Sequence, residues 1–307
     1  FSIYAGDGHF HQASTQDPKS ISSAGVEAKR ATGHFYMLDL RTHFASLLAT
    51  AQRGGRRKGE HDMHAIKRSG IAALRGQARK GRKVIVAWDR AGIDFAFWHQ
   101  AKHNGGLYFI SMEKENMNLM KSGDRPFDRG DRRNAGVVAD ELVSPGSGGH
   151  MLRRVIYIDP LTGVQYNYLT TEMTLPPWAI VLIYKQRWDI EKVFDEFKNK
   201  FGEGKSWSKD PVGKETQALA LCLTHNLCIL LEEWLRREEG VGNVAEGKRK
   251  KRREKEDRMN GGNFITTAIQ RFTVRSVKFI RWLNAFIYRE APWGQAVARL
   301  TRIYARL

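Results

Sequence analysis

The run Lys83-Val84-Ile85-Val86-Ala87-Trp88-Asp89 does most to restrict the folds open to this chain. An apolar run with no polar alternation marks a strand buried on both faces, and such strands belong to sheets covered by helices on each side. It ends on an aspartate. Phe1-Ser2-Ile3-Tyr4-Ala5-Gly6-Asp7 repeats that form as a short strand running into an acid. Between the two, a polar, turn-rich stretch reaches Gly33, and His34 to Leu40 and Thr42 to Thr50 read as strands joined by a tight connection. The basic turn Arg53-Gly54-Gly55-Arg56-Arg57-Lys58 then leads into a helix over Asp62 to Lys80. A helix over Phe95 to His103 and a strand over Leu107 to Met112 complete an α/β pattern.

From Asn116 to Thr171 the texture changes to charged turns and strands at Val137 to Val143, Leu152 to Ile158 and Val164 to Leu169, the last two joined through Asp159-Pro160-Leu161-Thr162-Gly163. This reads as a β-rich insertion. Its run Gly146-Ser147-Gly148-Gly149 has no Lys-Ser/Thr after it and opens no helix, which argues against a phosphate-binding loop.

A single helix is expected from Pro176 to Lys198. With Tyr184 at zero and about 100° per residue, Arg187 falls near 300°, Glu191 near 340° and Lys198 near 320°, one polar stripe about 60° wide. Ile190, Val193, Phe194, Phe197 and Phe201 form an apolar face beside it. Arg187 and Glu191 alone would be an ordinary solvated i,i+4 pair. The four polar residues together, at the edge of a buried face, can line a cleft. A further helix is expected over Lys214 to Glu239, then the basic run Lys248-Arg249-Lys250-Lys251-Arg252-Arg253-Glu254-Lys255 as an exposed linker, and helices near Phe272 to Tyr288 and Gly294 to Leu307.

The 51 Lys and Arg against 33 Asp and Glu give a net charge of +18. Such an excess points to a polyanionic partner, because binding a phosphate backbone releases its condensed counterions. The 41% hydrophobic content and strong periodicity exclude a disordered basic tail. Cys222 and Cys228 lie on different sides of one apolar helix, so no intrahelical disulfide is expected, and Cys222-x-x-His225-x-x-Cys228 reads as core packing rather than a zinc site. A reducing cytoplasm is the expected setting. No segment reaches the roughly 20 apolar residues of a membrane span. No signal peptide is visible, and the initial Phe1 suggests missing upstream sequence.

Strands ending at Asp7 and Asp89, and a helix carrying Glu191, suit two-metal phosphoryl transfer, which needs convergent carboxylates to hold hard cations about 4 Å apart. At this point the chain resembles the DDE transposases of bacterial insertion sequences, specifically those with the signature Tyr-x2-Arg-x3-Glu-x6-Lys: Tyr184, Arg187, Glu191 and Lys198 match every spacing. The surrounding Leu182-Ile183-Tyr184-Lys185-Gln186-Arg187-Trp188-Asp189-Ile190-Glu191 and the preceding Leu169-Thr170-Thr171 also resemble that family, over roughly residues 1 to 235. The resemblance implies an α/β, RNase H-like mixed sheet flanked by helices. Catalytic-domain segments would span 1–115 and 172–239 around an insertion at 116–171, with a basic linker at 240–262 and a helical region at 263–307.

The resemblance also implies roles. Asp7, Asp89 and Glu191 would be the catalytic acids and hold two Mg²⁺, for which Mn²⁺ can substitute. Tyr184, Arg187 and Lys198 would hold DNA phosphates. The partners would be double-stranded DNA, both element ends and target, bound by a homodimer. Asp39 rivals Asp7 as first acid, but an RNase H-like order of acid-bearing strand, two antiparallel strands, helix and second acid-bearing strand fits only Asp7, and Gly6 and Gly8 suit a crowded metal site. The family pattern after the second aspartate is one residue longer here, which leaves Asp94 as a weaker alternative to Asp89. The upstream DNA-binding region usual in such proteins is not evident. Two alternatives stay open: a catalytically silent DNA-binding descendant, and an RNase H-like nuclease without strand transfer. His61-x2-His64 with Glu60 and Asp62 reads as a solvated helix start with Asp62 as N-cap. Trp88, Trp98, Trp188 and Trp207 are expected mostly in the core.

Overall fold

Val84, Ile85, Val86 and Ala87 are all completely buried, and they pair with a strand on each side, as an uninterrupted apolar run requires. They belong to a computed structural model that describes residues 1–238 apart from 22–26, 30, 55–57, 77 and 147, and only isolated positions beyond 238. The expected basic linker at 240–262 and helical region at 263–307 lie outside the described residues.

In chain order the strands are β1 (Ser2–His11), β2 (Lys19–Ile21), β3 (Glu27–Lys29), β4 (Thr32–Asp39), β5 (Ala45–Thr50), β6 (Arg53–Gly54), β7 (Lys58–Gly59), β8 (Val84–Ala87), β9 (Leu107–Met112), β10 (Leu119–Asp124), β11 (Val137–Pro145), β12 (Leu152–Ile158) and β13 (Gln165–Thr170). The helices are α1 (Asp62–Leu74), α2 (Phe95–Gly105), α3 (Pro177–Gln186), α4 (Trp188–Asn199) and α5 (Pro211–Glu238). One sheet takes nine strands in the order β10-β11-β12-β13-β9-β8-β1-β4-β5, while β2 with β3 and β6 with β7 form small ribbons. β1 runs antiparallel to β4 and parallel to β8, and β8 runs parallel to β9. Its β5-β4-β1-β8-β9 part is the RNase H-like mixed sheet, with helices on both faces.

Residues 116–171 do not form a sheet of their own. β13 pairs antiparallel with β9, so β10 to β13 widen the central sheet at one edge. β10 is an additional strand that the sequence pattern did not announce: its exposed residues and a register shift between Lys121 and Gly123 break the alternation.

Two apolar layers sandwich the sheet. Ala5, Tyr36, Leu38, Ile85 and Ala87 face Ile180, Ile183, Ile190, Val193, Phe194 and Phe197 of α3 and α4. Tyr4, Phe35, Met37, Val84, Val86 and Trp88 face Ala65 and Ile66 of α1 and Phe97 and Trp98 of α2. α1 is shorter than the expected Asp62 to Lys80: Gly70, at φ 78°, kinks it, and Gly76, at φ 53°, follows its end at Leu74. No described helix is long and apolar enough to cross a membrane.

Gly6 has a packing role rather than the expected place in a crowded metal site. A Cβ there would lie 2.0 Å from Cε3 of Trp88, whose indole fills the opposite face of the sheet. Because Trp88 is completely buried, it has no free space to move into. Gly6→Ala should therefore cost about 1–3 kcal/mol by overpacking, read as a lower denaturant midpoint at unchanged slope. An unchanged midpoint would show that the indole relocates freely.

Candidate active site

The strand pleat decides which acids can meet. On β1, Ala5 faces the α3/α4 layer and Tyr4 the α1/α2 layer, so Asp7, two residues after Ala5, continues the α3/α4 face. On the β8 side Ala87 faces the same layer, and Asp89 follows it by two. The parallel register pairs Ala5 with Ala87, the last residue of β8, so Asp7 and Asp89 each lie two residues beyond that pair, Asp7 still on β1 and Asp89 in the turn that follows β8. Asp39 follows Phe35 and Met37, which face the other layer, and its register partner is Tyr4. Its Oδ1 accepts the N–H groups of Arg41 and Thr42, closing the turn into β5. Asp94 is likewise structural: it accepts the Phe97 N–H at the start of α2 and pairs with Lys67. Asp89 Oδ1 accepts from the Ala91 N–H, fixing its carboxylate at the turn after β8.

The expected single helix from Pro176 to Lys198 is two, α3 and α4, broken at Arg187. The Arg187 N–H reaches Tyr184 O and the Ile190 N–H reaches Arg187 O, i,i+3 bonds that tighten the turn. At this break Arg187 turns inward, buried at 6% exposure, while Trp188 beside it is 57% exposed. Arg187 Nη1 donates to Asp7 Oδ2 at 2.8 Å and Nη2 to Glu191 Oε1 at 3.0 Å, so one guanidinium joins strand acid to helix acid.

Burial chiefly raises the Asp7 carboxyl, Arg187 opposes this, and the negative charges of Asp89 and Glu191 add to it, for a pKa pushed up to about 6. Like charges acting on one another require that the three acids lie close. Tyr184 is buried beneath Arg187, its ring 5.7 Å from the guanidinium and 5.0 Å from that of Tyr168. Lys198 is exposed near the end of α4, and its charge is felt at His11. The polar stripe thus divides: Arg187 and Glu191 meet Asp7, Tyr184 supports them from the core, and Lys198 faces the far end of β1.

Several expectations change. Asp62 is not the N-cap of α1; His61 is, through Nδ1 and the Met63 N–H. Asp62 Oδ2 instead accepts from the Trp88 indole N–H at 3.0 Å, and burial followed by the charge of Asp89 raises its carboxyl while that bond lowers it. Glu60 is engaged by Arg68, and Trp207, like Trp188, is exposed at 66% rather than in the core. Cys222 and Cys228 are buried free thiols, as core packing requires.

The feature the spacing did hold, and which went unread, is Asp7-x-His9-x-His11: three polar side chains at period two on one face of β1. His9 and His11 meet Glu203, which follows α4. Burial, reinforced by His34, His9 and Lys198, pushes the His11 imidazole down to about 2.

The family model described as transposase DDE domain matches residues 7–227. No curated protein matches the chain. Among solved structures, the piggyBac transposase synaptic complex with hairpin DNA, determined by cryo-EM, is similar at 11% identity and a TM-score of 0.47. The match covers 99% of this chain and 57% of that one, so the chain spans little more than half the length of that transposase. With Asp7 at the first matched residue, and Asp89 and Glu191 inside the match, the chain belongs to the transposase DDE domain family.

Proposed function

We propose that the chain is a DDE transposase of the bacterial insertion-sequence type with the Tyr-Arg-Glu-Lys signature, and that Asp7, Asp89 and Glu191 are its catalytic acids. The observation that carries this reading is the Arg187 guanidinium, which ties Asp7 on β1 to Glu191 on α4, with Asp89 two residues beyond the β8 residue that pairs with Ala5. Catalytic segments at 1–115 and 172–239 with an insertion at 116–171 form its organisation. Its partners are double-stranded element ends and target DNA, bound by a homodimer at the bacterial nucleoid.

The donor set fits hard divalent cations: the carboxylates of Asp7 and Glu191 share the Arg187 guanidinium, and the charge of Asp89 acts on Asp7. When bound by these acids, two Mg²⁺, or Mn²⁺ in their place, supply activation of the attacking hydroxyl and stabilisation of the leaving 3′ oxygen. The chain's own residues do the rest. Asp7 stands on β1 and Asp89 in the turn just after β8, where its Oδ1 accepts the Ala91 N–H. Glu191 sits 36% exposed, where it meets Arg187 and solvent. Arg187 presents a planar fork suited to a phosphate, and Lys198 a point charge beyond it. Tyr184 packs under the guanidinium and limits where the fork can point.

Incubating the full chain with Mg²⁺ and DNA carrying its element ends should yield cut ends and then joined products. Cleavage without joining would favour the nuclease reading, and chelator-indifferent DNA binding without cleavage the silent one. Proton competition gives an independent check. A carboxyl raised to about 6 is neutral below that pH, so Mn²⁺ affinity should fall about tenfold per pH unit below 6 and level off above it. In the cation-free fold the sign for stability is opposite to that of a salt-bridged acid: the advantage of protonated Asp7 is full below about 4 and is lost as pH rises through 6. Calorimetric Mn²⁺ titrations at several pH values test this, and an affinity flat down to pH 5 would remove Asp7 from the binding set.

A further inference from the structure

We infer that His9, His11 and Glu203 form a second cation site, selective for a zinc-class transition metal and separate from the three carboxylates. All three residues are buried, at 5%, 1% and 6% exposure, and their ligand atoms lie within 4.8 Å of one another. His9 Nε2 is 3.0 Å from one Glu203 oxygen, and His11 Nε2 is 3.2 Å from the other. Tetrahedral bonds of about 2.0–2.1 Å put neighbouring ligand atoms about 3.3 Å apart, close to these two nitrogen–oxygen distances. The Tyr36 hydroxyl lies 2.9 Å from His11 Nε2. Two imidazole nitrogens with a single carboxylate suit zinc and exclude Mg²⁺, which demands hard oxygen ligands.

The backbone holds the ligands in place independently of any ion. His9 and His11 share one face of β1, and the His9 ring stacks on Phe194 at 4.7 Å and 13°. Glu203 follows α4 through Gly202 at φ 70°, and its N–H is bonded to Phe197 O. An ion here would clip β1, which carries Asp7 two residues before His9, to the end of the helix carrying Glu191. The site therefore sets the spacing of the strand acid and the helix acid.

The test is metal analysis of the full chain purified without a histidine tag. One zinc per chain is expected, together with X-ray absorption showing nitrogen and oxygen ligation, and a visible spectrum of four-coordinate Co²⁺ on cobalt substitution. His11→Ala and Glu203→Gln should weaken zinc at least about 100-fold, the upper end of what loss of a mere outer-shell partner costs. Asp89→Asn should retain it. Circular dichroism matching the parent chain would establish that the two variants fold. If they do not fold, zinc stoichiometry and absorption of the parent chain still decide. Absence of stoichiometric zinc, no four-coordinate Co²⁺ spectrum, or undiminished zinc affinity in folded variants would overturn the site and leave an internal hydrogen-bond network only.

Discussion

Glu191→Gln and Asp89→Asn should each lower Mg²⁺-dependent strand cleavage by about 10³-fold or more while leaving DNA affinity and melting temperature close to those of the parent chain. Charge stabilisation by a bound divalent cation is worth several kcal/mol, and each 1.36 kcal/mol is a factor of ten in rate. Both substitutions keep the shape and an acceptor oxygen, and remove the charge a hard cation needs. The structural cost is small for local reasons. Glu191 is about one-third exposed and pairs with Arg187, so its charge contributes about 1 kcal/mol or less to the fold. Asp89 uses Oδ1 to accept the Ala91 N–H, which an asparagine oxygen can also accept. Single-turnover cleavage of end DNA, with anisotropy for binding and thermal melts for folding, separates these quantities. If either variant cuts within about tenfold of the parent rate, the three-acid assignment fails.

Much of this site was legible because strand ends and helix periodicity are local properties. The apolar run before Asp89 announced its strand, and the spacing of Tyr184, Arg187, Glu191 and Lys198 announced a polar stripe. What stayed hidden depends on partners distant in sequence. Nothing between Pro177 and Asn199 disfavours a continuous helix, and the break at Arg187 accompanies an ion pair with Asp7, 180 residues earlier. The pleat parity that sets Asp39 on the opposite face becomes decisive only once Phe35 and Met37 are known to pack against α1 and α2. β10 escaped notice as an exposed edge strand. The union of the 116–171 segment with the central sheet rests on three register pairs between β13 and β9, which no local pattern encodes. His9 and His11 alternate visibly, yet Glu203 joins them from 194 residues away.

Arg153→Ala should destabilise the fold by about 3–5 kcal/mol, the cost of removing one partner from a buried ion pair. Arg153 is 1% exposed, and its guanidinium grips Asp140 in bidentate fashion at 2.8 and 2.7 Å. Its Nη1 also donates to Leu175 O at 2.7 Å and lies 3.7 Å from a carboxylate oxygen of Glu172, itself completely buried. Truncation therefore takes the guanidinium from beside two buried carboxylates, leaving Asp140 with Arg125 and Glu172 with the N–H groups of Thr174 and Leu175. Arg153→Lys should recover only part of the loss, since an ammonium cannot reproduce the fork. Removing both charges, as in Arg153→Met with Asp140→Leu, should cost less than the sum of the single substitutions. The effect reaches the active site through geometry: Arg153 on β12 holds the 172–175 connection, which delivers the chain into α3 and so positions Tyr184, Arg187 and Glu191. Denaturant unfolding of the single and double variants measures the stability term, and cleavage under conditions where all remain folded measures the positioning term. A loss below about 1 kcal/mol for Arg153→Ala would mean that water or Arg125, which lies 3.4 Å from Asp140, takes over the buried charge.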